Sequence, residues 1–222
     1  MNKDTLKFDL ENGVNFEVVD KFCYLGDMIS ADGGVEAAVE TRVVTAWKKF
    51  KELSPFLLAK RISLRLKGKV YASCVRSSMT YASETWALTA KLENRLETTD
   101  MRMVRWICGV SLRDQKTSDE LRTLLGLQPI NVLCRHNRLR WFGHVERRED
   151  DDWLRKCTTL KVDGRRRAGR PRKTWSEVLG KDMKERGILA EWAQDRDLWR
   201  KMIHIGKSAD LDISGKSADP EM

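Results

Sequence analysis

Residues 138–148 read Arg-Leu-Arg-Trp-Phe-Gly-His-Val-Glu-Arg-Arg, and this run joins arginines to aromatic residues and a histidine on one predicted helix. Guanidinium groups neutralise phosphates, and both guanidinium and aromatic planes stack on unpaired bases. The run is therefore typical of a nucleic-acid contact. The alternative interpretation is that Leu139 and Trp141 pack in the core and that the arginines only flank them. The candidate contacts are Arg138, Arg140, Trp141, Arg147 and Arg148.

The composition describes a basic globular chain. It has 222 residues, of which 41% are hydrophobic, and this suffices for one domain of ordinary size or two small ones. Its 42 basic and 33 acidic residues give a formal net charge of +9. An excess of positive charge indicates what a protein binds and not how it folds, and here it indicates a polyanionic partner. Nucleic acid is the first candidate partner, and an acidic membrane surface is the second.

Cysteine spacing and apolar runs predict an intracellular protein. The five cysteines are odd in number and widely spaced, which favours free thiols in a reducing compartment over a disulfide framework. Charged residues interrupt each apolar run before it reaches the roughly 18 residues that a membrane span needs. The N-terminus also lacks the apolar core of a signal peptide. We expect the protein in the nucleus or the cytoplasm, without a membrane partner.

Hydropathy periods predict a mainly α-helical fold that follows a short N-terminal β-hairpin. β-branched and aromatic residues at 14–19 and 21–29, between turn residues, are typical of one or two short strands. The apolar spacing then becomes three and four, which predicts a helix that Pro55 ends. Leu66 and Trp106 are expected on the buried faces of the next two helices. Helices are predicted at 63–79, 91–108 and 117–125, from Pro129, from Thr174 to Gly187, and around 192–203.

Five short motifs occur in order along the chain. They are Phe22-Cys-Tyr24-Leu-Gly26, Asp32-Gly33, Tyr81-Ala-Ser-Glu84-Thr-Trp86, residues 138–145, and Gly169-Arg170-Pro171 with Trp175. Over about residues 14 to 200, this ordered set resembles the C-terminal part of reverse transcriptases from LINE-type, non-long-terminal-repeat retrotransposons. Five motifs in register are more specific than any one of them alone.

The resemblance implies a division of the chain. Phe22, Tyr24 and Gly26 would lie at the edge of the polymerase palm near the primer end, and the helices after them would form the thumb. The part beyond Arg138 would hold the element's own RNA or target DNA. The predicted segments are a palm-edge hairpin at 1–32, a thumb-like helical bundle at 33–128, a basic helix and connection at 129–160, a basic linker at 161–173, C-terminal helices at 174–205 and a disordered tail at 206–222.

The catalytic carboxylates of such a palm are absent from this sequence. In the family, an aromatic residue followed within two positions by Asp-Asp binds two magnesium ions for nucleotidyl transfer. Here Asp27 stands alone near Tyr24, and residues 150–152 are aspartates in a polar connection. We therefore expect a fragment that does not polymerise alone and needs no cofactor of its own, since the magnesium would belong to the missing palm. Its expected partners are that palm and the fingers, together with RNA, an RNA/DNA hybrid or target DNA.

Two pairs of basic residues lie on the predicted thumb helices. Lys48 and Lys49 are near the end of the first helix, and Arg102 and Arg105 are on the third. Such residues contact the phosphates of a duplex without regard to its sequence. A solvated helix surface is the alternative, and lysines near a helix C-terminus also complement its dipole.

A basic arm precedes the C-terminal helices. Its basic side chains are Arg165, Arg166, Arg167, Arg170, Arg172 and Lys173, with Lys161 at its start. The Gly-Arg-Pro at 169–171 resembles the core of an AT-hook, which enters the minor groove of A·T-rich DNA, although Ala168 replaces the expected arginine. General phosphate binding and nuclear import are alternatives. The corresponding alternatives for the whole chain are a stand-alone DNA-binding protein that uses this arm, and a retroelement relic without function.

One set of residues has metal-ligand chemistry. Cys134, His136, His144 and Cys157 provide the four sulfur and nitrogen ligands that zinc requires in a tetrahedron. The regular Cys-x-x-Cys start is missing, and the first two residues are predicted on opposed sides of a helix. A packed histidine is the preferred interpretation. Glu84 is interpreted as a hydrogen-bonding residue of the segment before Trp86 and not as a catalytic acid.

Overall fold

The computed structural model describes residues 7–10, 14–31, 33–160 and 171–204. The fold is mainly α-helical and begins with short antiparallel strands, which confirms the predicted fold class, although the described residues form two hairpins where one was predicted. The strands are β1 Lys7–Leu10, β2 Val14–Glu17, β3 Lys21–Tyr24 and β4 Asp27–Ser30, which pair as β1 with β2 and β3 with β4. Leu25 and Gly26 form the second turn, and both have positive φ, 48° and 80°. Two such residues in succession are what a tight hairpin turn requires.

Helices follow the hairpins through the rest of the described chain. The α-helices are α1 Glu36–Leu57, α2 Leu64–Val70, α3 Ser77–Met79, α4 Ala90–Cys108, α5 Ser118–Leu125, α6 Ile130–Glu146, α7 Trp153–Thr159, α8 Trp175–Arg186 and α9 Arg196–His204. A π-helical segment, Tyr71–Arg76, joins α2 to α3. Short 3₁₀ helices lie at Ser83–Thr85, Leu112–Asp114 and Ala190–Gln194. No helix within the described ranges is long and apolar enough to cross a membrane.

Local capping explains why most helix boundaries agree with the sequence. The N–H of Thr117 donates to Glu120 Oε2 at 3.0 Å, and the N–H of Glu120 donates to Thr117 Oγ1 at 3.2 Å. Thr174 and Glu177 form the same reciprocal pair at the start of α8, with both distances 3.2 Å. These pairs satisfy N–H groups that have no partner within the helix. At the other end, α4, α5 and α8 stop at left-handed glycines, which are Gly109, Gly126 and Gly187.

The prediction that Pro55 ends the first helix is wrong. The α1 helix continues to Leu57, with Pro55 inside it. Proline has no N–H, so the carbonyl of Lys51 loses the donor that position 55 would supply. The hydroxyl of Ser54 donates to that carbonyl at 2.8 Å instead. A neighbouring side chain thus replaces the lost hydrogen bond in the last turns of the helix.

The predicted burial of Leu66 and Trp106 is also wrong. Their exposed fractions are 48% and 54%. Gly68 is buried instead, and a Cβ at that position would overlap the backbone of Leu125 in α5. This close approach fixes which face of α2 points inward, and the π-helical turn that follows shifts the phase of later residues. Trp106 is half-exposed and still packs against two rings, with its ring centroid 5.6 Å from that of Trp47 and 6.0 Å from that of Phe50.

Two hydrophobic clusters form the interior of the described chain. The first gathers α1, the π-helical segment, α4 and α5 around residues such as Phe50, Tyr71, Leu96, Met103 and Leu121. The second gathers α8 and α9 around Leu179, Trp199 and Ile203. The α6 helix belongs to both, because Ile130 and Cys134 pack in the first cluster while Leu139 and Phe142 pack in the second. One continuous helix therefore joins the two halves.

A buried charged network lies in the first cluster. The guanidinium of Arg76 donates to Asp100 at 2.8 Å and 2.5 Å, and to the carbonyl of Gln128 at 2.6 Å. The hydroxyl of Tyr71 donates to the same carboxylate at 2.8 Å. Burial, followed by the charge of Asp100, raises the pKa of Tyr71 well above its usual value. The network ties the π-helical segment to α4 and to the loop before α6.

Candidate functional site

Arg138, at the start of the basic run, lies inside the molecule. Its side chain is only 2% exposed. Its Nε donates to Asp182 Oδ2 at 2.7 Å, and its Nη1 donates to the carbonyl of Trp86 at 2.9 Å. A nucleic acid has no access to a guanidinium in this position. Arg138 is therefore removed from the candidate nucleic-acid contacts and is instead a link between α6 and α8.

A second arginine of α6 strengthens this link. Arg135 Nε donates to Asp182 Oδ1 at 3.1 Å, and its Nη2 lies 2.9 Å from Glu185 Oε2. Asp182 thus receives both arginines, one on each oxygen, while being 4% exposed. Two hydrogen-bonded cations compensate the cost of removing its charge from water. Arg135 and Arg138 therefore hold α6 against α8.

Leu139, Phe142 and Gly143 of the run form the contact between α6 and α9. The indole Nε1 of Trp199 donates to the carbonyl of Leu139 at 3.0 Å. Gly143 lies directly against that indole, because a Cβ at position 143 would overlap it. Phe142 packs its ring 5.7 Å from the ring of Trp199. The glycine therefore allows the two helices to approach closely, which a larger residue would prevent.

Beside this contact, α6 and α9 enclose a groove of about 540 Å³. Its walls carry four arginines, of which one is in α6, one directly follows α6 and two are in α9, and also three histidines, Trp141 and the carboxylate-bearing Glu84. The lining residues are Glu84, His136, Asn137, Arg140, Trp141, His144, Arg147, Arg196, Trp199, Arg200, Ile203 and His204. We call this site the α6–α9 groove. Arg140, Trp141 and Arg147 were predicted as contacts from the sequence, and the structure brings them together here.

The cationic groups of the groove are mostly unpaired. Arg140, Arg196 and Arg200 are exposed, and none of them forms an ion pair with an acid among the described residues. Arg147 is half-buried, and its Nη1 donates to the carbonyl of Ala193 at 2.6 Å. Burial, followed by the positive charge of Arg196, lowers the pKa of Arg147. The groove thus holds three exposed guanidinium groups that form no ion pair with a carboxylate of the described residues.

Aromatic and imidazole rings line the groove between these arginines. Trp141 is half-buried, and its ring centroid lies 5.4 Å from that of His144 at an interplanar angle of 35°. His136 and His204 form a second pair, with ring centroids 4.4 Å apart. Burial lowers the pKa of His136, and the charges of His204, Arg140 and Arg186 lower it further, although a backbone hydrogen bond with Ile203 opposes them. Positive charge on several sides is the electrostatic condition for binding an anion.

The four residues considered for zinc do not converge. Cys134 is buried in the first cluster, and burial raises its pKa to about 12, so the thiol keeps its proton. Cys157 is exposed on α7, and His136 contacts His204. No group of three or more His, Cys, Asp or Glu residues suited to a metal exists in the described ranges, which include all four candidates. The zinc interpretation is therefore not retained.

The residues assigned to the palm edge lie on an exposed hairpin. Phe22 and Tyr24 are each 56% exposed on β3, with ring centroids 6.4 Å apart. The turn between β3 and β4 is anchored, because Arg42 donates to the carbonyl of Gly26 and the hydroxyl of Tyr81 donates to that of Leu25 at 3.2 Å. Gly26 thus supplies a turn conformation as well as a close approach. The anchored turn leaves the aromatic rings of β3 facing outward.

The basic residues on the thumb-like helices differ in how available their charges are to an external anion. Lys48 is exposed, whereas Lys49 lies 2.6 Å from Glu52 in a surface ion pair. Arg102 packs over the ring of Trp47, 5.8 Å from its centroid. Arg105 donates to the carbonyls of Ser111 and Lys116, at 3.5 Å and 3.1 Å. Lys48 is the one most available to an external anion.

Most of the basic arm falls outside the described residues. This holds for Arg165, Arg166, Arg167 and Arg170, and for the predicted tail at 206–222. Arg172 lies 4.0 Å from Glu36 at the start of α1, and Lys173 is exposed immediately before the capping residue of α8. Arg196 and Arg200, by contrast, were missed by the sequence analysis. Their proximity to the basic run depends on how α9 packs against α6.

Comparison with known proteins supports an origin in a transposable element. The chain is 29% identical over 205 residues to an uncharacterized transposon-derived protein of Caenorhabditis elegans. The alignment covers 83% of this chain and 70% of the relative. No protein-family model matches the chain, and no solved structure matches it.

Proposed function

We propose that the chain is the nucleic-acid-binding, helical C-terminal part of a LINE-type retrotransposon reverse transcriptase. In this proposal, the α6–α9 groove grips template RNA or an RNA/DNA hybrid. The palm and fingers of the polymerase would be its protein partners, and the magnesium ions of catalysis would be bound by that palm. The chain itself would position nucleic acid and perform no chemistry.

The observation that carries the proposal is the convergence of unpaired arginines on one groove. Arg140, Arg196 and Arg200 are exposed there, with Arg147 beside them. Cations that hold the fold together are paired with acids, as Arg138 is with Asp182. Cations left without acids in a concave site attract phosphates, and each neutralised phosphate releases counterions. A polyanion is thus the ligand that this charge distribution fits best.

The relative and the hairpin favour a retroelement polymerase over a stand-alone DNA-binding protein. The relative is described as transposon-derived, and its alignment extends over most of this chain. The β3–β4 hairpin exposes Phe22, Tyr24 and Ile29, and an exposed apolar surface of this kind usually meets another protein surface. In a complete polymerase, the rest of the palm would cover it.

The test is the salt dependence of binding, measured by fluorescence anisotropy with a labelled RNA/DNA hybrid and a labelled single-stranded RNA. The groove variant replaces Arg140, Arg196 and Arg200 by alanine. The control variant also removes three exposed arginines, Arg61, Arg95 and Arg113, none of which lines the groove. Both variants lower the net charge equally. Any difference between them therefore reports on position and not on total charge.

We expect the wild type to bind both ligands more weakly as salt rises. Removing three phosphate contacts should reduce the slope of log affinity against log salt by about 2 to 3, at 0.7 to 0.9 per contact. The control variant should lose less than one unit of slope. Equal losses in the two variants would show that the groove is not the site. If the wild type ignored both ligands at low salt while unfolding cooperatively, nucleic-acid binding itself would be excluded.

A further inference from the structure

The α6–α9 groove has the size of a small-molecule site. Its volume is about 540 Å³, within the range of pockets that enclose ligands of a few hundred daltons. A duplex presents a convex backbone to a protein, with its bases stacked and paired inside. A concave groove of this volume suits one nucleotide that has left the stack. A groove of this volume therefore favours an unpaired nucleotide over a duplex.

The rings on the groove wall provide a surface for stacking. Trp141 is half-buried, and His144 lies beside it at a centroid distance of 5.4 Å. Arg140 and Arg147 flank this pair along α6, and Arg196 and Arg200 face it from α9. Aromatic rings between cations are the arrangement by which proteins hold single strands, since every base has a face that stacks.

The groove also offers groups for the edge of a base. Nδ2 of Asn137 donates to Ser83 Oγ at 3.1 Å, which leaves the amide oxygen as an acceptor. The backbone carbonyl of Glu84 accepts from Trp175 Nε1 at 2.8 Å, so the residue is held while its side chain lines the groove. Carboxylate and amide oxygens accept from exocyclic amino groups. Phosphate binding alone would not require acceptors inside a cationic site.

We infer that the α6–α9 groove seats one unpaired nucleobase against Trp141, with the four arginines on the phosphates that flank it. The ligand of the site is then single-stranded RNA or DNA, in preference to a hybrid duplex. This inference rests on the proposed function, because it assumes that the arginines hold phosphates. It adds that Trp141 recognises the base, which a purely electrostatic groove would not do.

The experiment compares two labelled oligonucleotides with the same number of phosphates. One carries bases throughout, and the other has abasic sites in place of a central tract. Affinities are measured for the wild type, for Trp141→Leu and for Trp141→Phe. The control is Trp153→Leu, since Trp153 is 80% exposed on α7 and does not line the groove. Thermal unfolding of each variant shows whether it remains folded.

We expect the wild type to bind the base-bearing strand on the order of tenfold more tightly than the abasic strand. Trp141→Leu should abolish that ratio while keeping the affinity for the abasic strand, and Trp141→Phe should retain most of it. Trp153→Leu should behave as the wild type. If the wild type bound both strands with equal affinity, the inferred nucleobase site would be overturned. The arginine variants would test phosphate binding separately. A loss of abasic binding in Trp141→Phe, with folding intact, would also overturn the inferred nucleobase site, because the residue would then serve phosphate contact only.

Discussion

The guanidinium of Arg138 and the carboxylate of Asp182 form a buried ion pair, 2.7 Å from Nε to Oδ2, that joins α6 to α8. The two residues are 44 positions apart in the chain. Neither residue lines the α6–α9 groove, to which α6 contributes other side chains. The run at 138–148 thus contains an arginine that stabilises the fold as well as arginines that line the groove.

The first prediction concerns this pair. Asp182→Ala should lower the free energy of unfolding by about 3–5 kcal/mol, because Arg138 would remain buried without its counterion. Urea denaturation monitored by circular dichroism measures the change. Glu185→Ala is the matched control, since it removes a carboxylate of the same helix that is 40% exposed and pairs with Arg135; its cost should stay below about 1 kcal/mol. Similar costs for the two substitutions would contradict the structural role of Asp182.

The second prediction concerns Gly143. A helical glycine replaced by alanine ordinarily gains about 0.5–1 kcal/mol. Gly143→Ala should instead lower the melting temperature, because its methyl group would overlap the indole of Trp199 and separate α6 from α9. Gly180→Ala in α8 is the control, since nothing lies within 4 Å of a Cβ there. That variant should melt at the wild-type temperature or slightly above it. A stabilised Gly143→Ala protein would show that the helices do not approach so closely.

The third prediction concerns pH and His136. Its pKa in the folded protein lies below the usual 6.5, because of burial first and the neighbouring His204 second. The unfolded chain therefore binds a proton more readily than the folded chain does near pH 6. The contribution of His136 to the free energy of unfolding is complete above about pH 6.5 and falls as the pH decreases through the range below it.

His136→Gln should remove part of this dependence. The measurement is the urea midpoint of the wild type and the variant at about pH 7.5 and about pH 5.5. Between the higher and the lower pH, the urea midpoint of the wild type should decrease more than that of the variant. If the two proteins lost equal amounts, His136 would not be held in an environment that disfavours its charged form.

The fourth prediction concerns cysteine reactivity. Cys134 is buried and its pKa is raised to about 12, so the thiolate that reacts with alkylating agents is scarce. Cys23 and Cys157 are exposed. Iodoacetamide at neutral pH, followed by peptide mass spectrometry, should label Cys23 and Cys157 within minutes and label Cys134 only after denaturant is added. Early labelling of Cys134 would mean that the first cluster opens readily around α6.

The sequence predicts helix starts and ends that depend on residues only a few positions apart. The starts of α5 and α8 were found because Thr117 and Thr174 form capping boxes with residues only three positions away. The ends were found because glycines adopt the left-handed conformation there. Pro55 was misread because Ser54 compensates for it, an effect that propensity rules do not contain. Residues close in sequence thus predict the helix boundaries, unless a neighbouring side chain replaces a missing backbone hydrogen-bond donor.

The parts that could not be predicted depend on distant contacts. Arg138 was interpreted as a ligand contact because nothing within its own helix reveals that Asp182 will meet it. Arg196 and Arg200 were missed because they reach the groove only when Trp199 packs against Gly143. Leu66 was placed inside because the π-helical segment and the burial of Gly68 are not visible in a regular helical period. The charge pattern of the sequence identifies a basic segment, but tertiary packing determines which of its arginines stay exposed to a ligand.

The continuity of α6 through both hydrophobic clusters has a thermodynamic consequence for any ligand of the groove. The α6 wall is already packed before association, since Cys134 lies in the first cluster and Phe142 lies in the second. Complex formation then sacrifices little backbone entropy, and the heat-capacity change should be modest. The nucleic acid, and not the polypeptide, would be the component that reorganises.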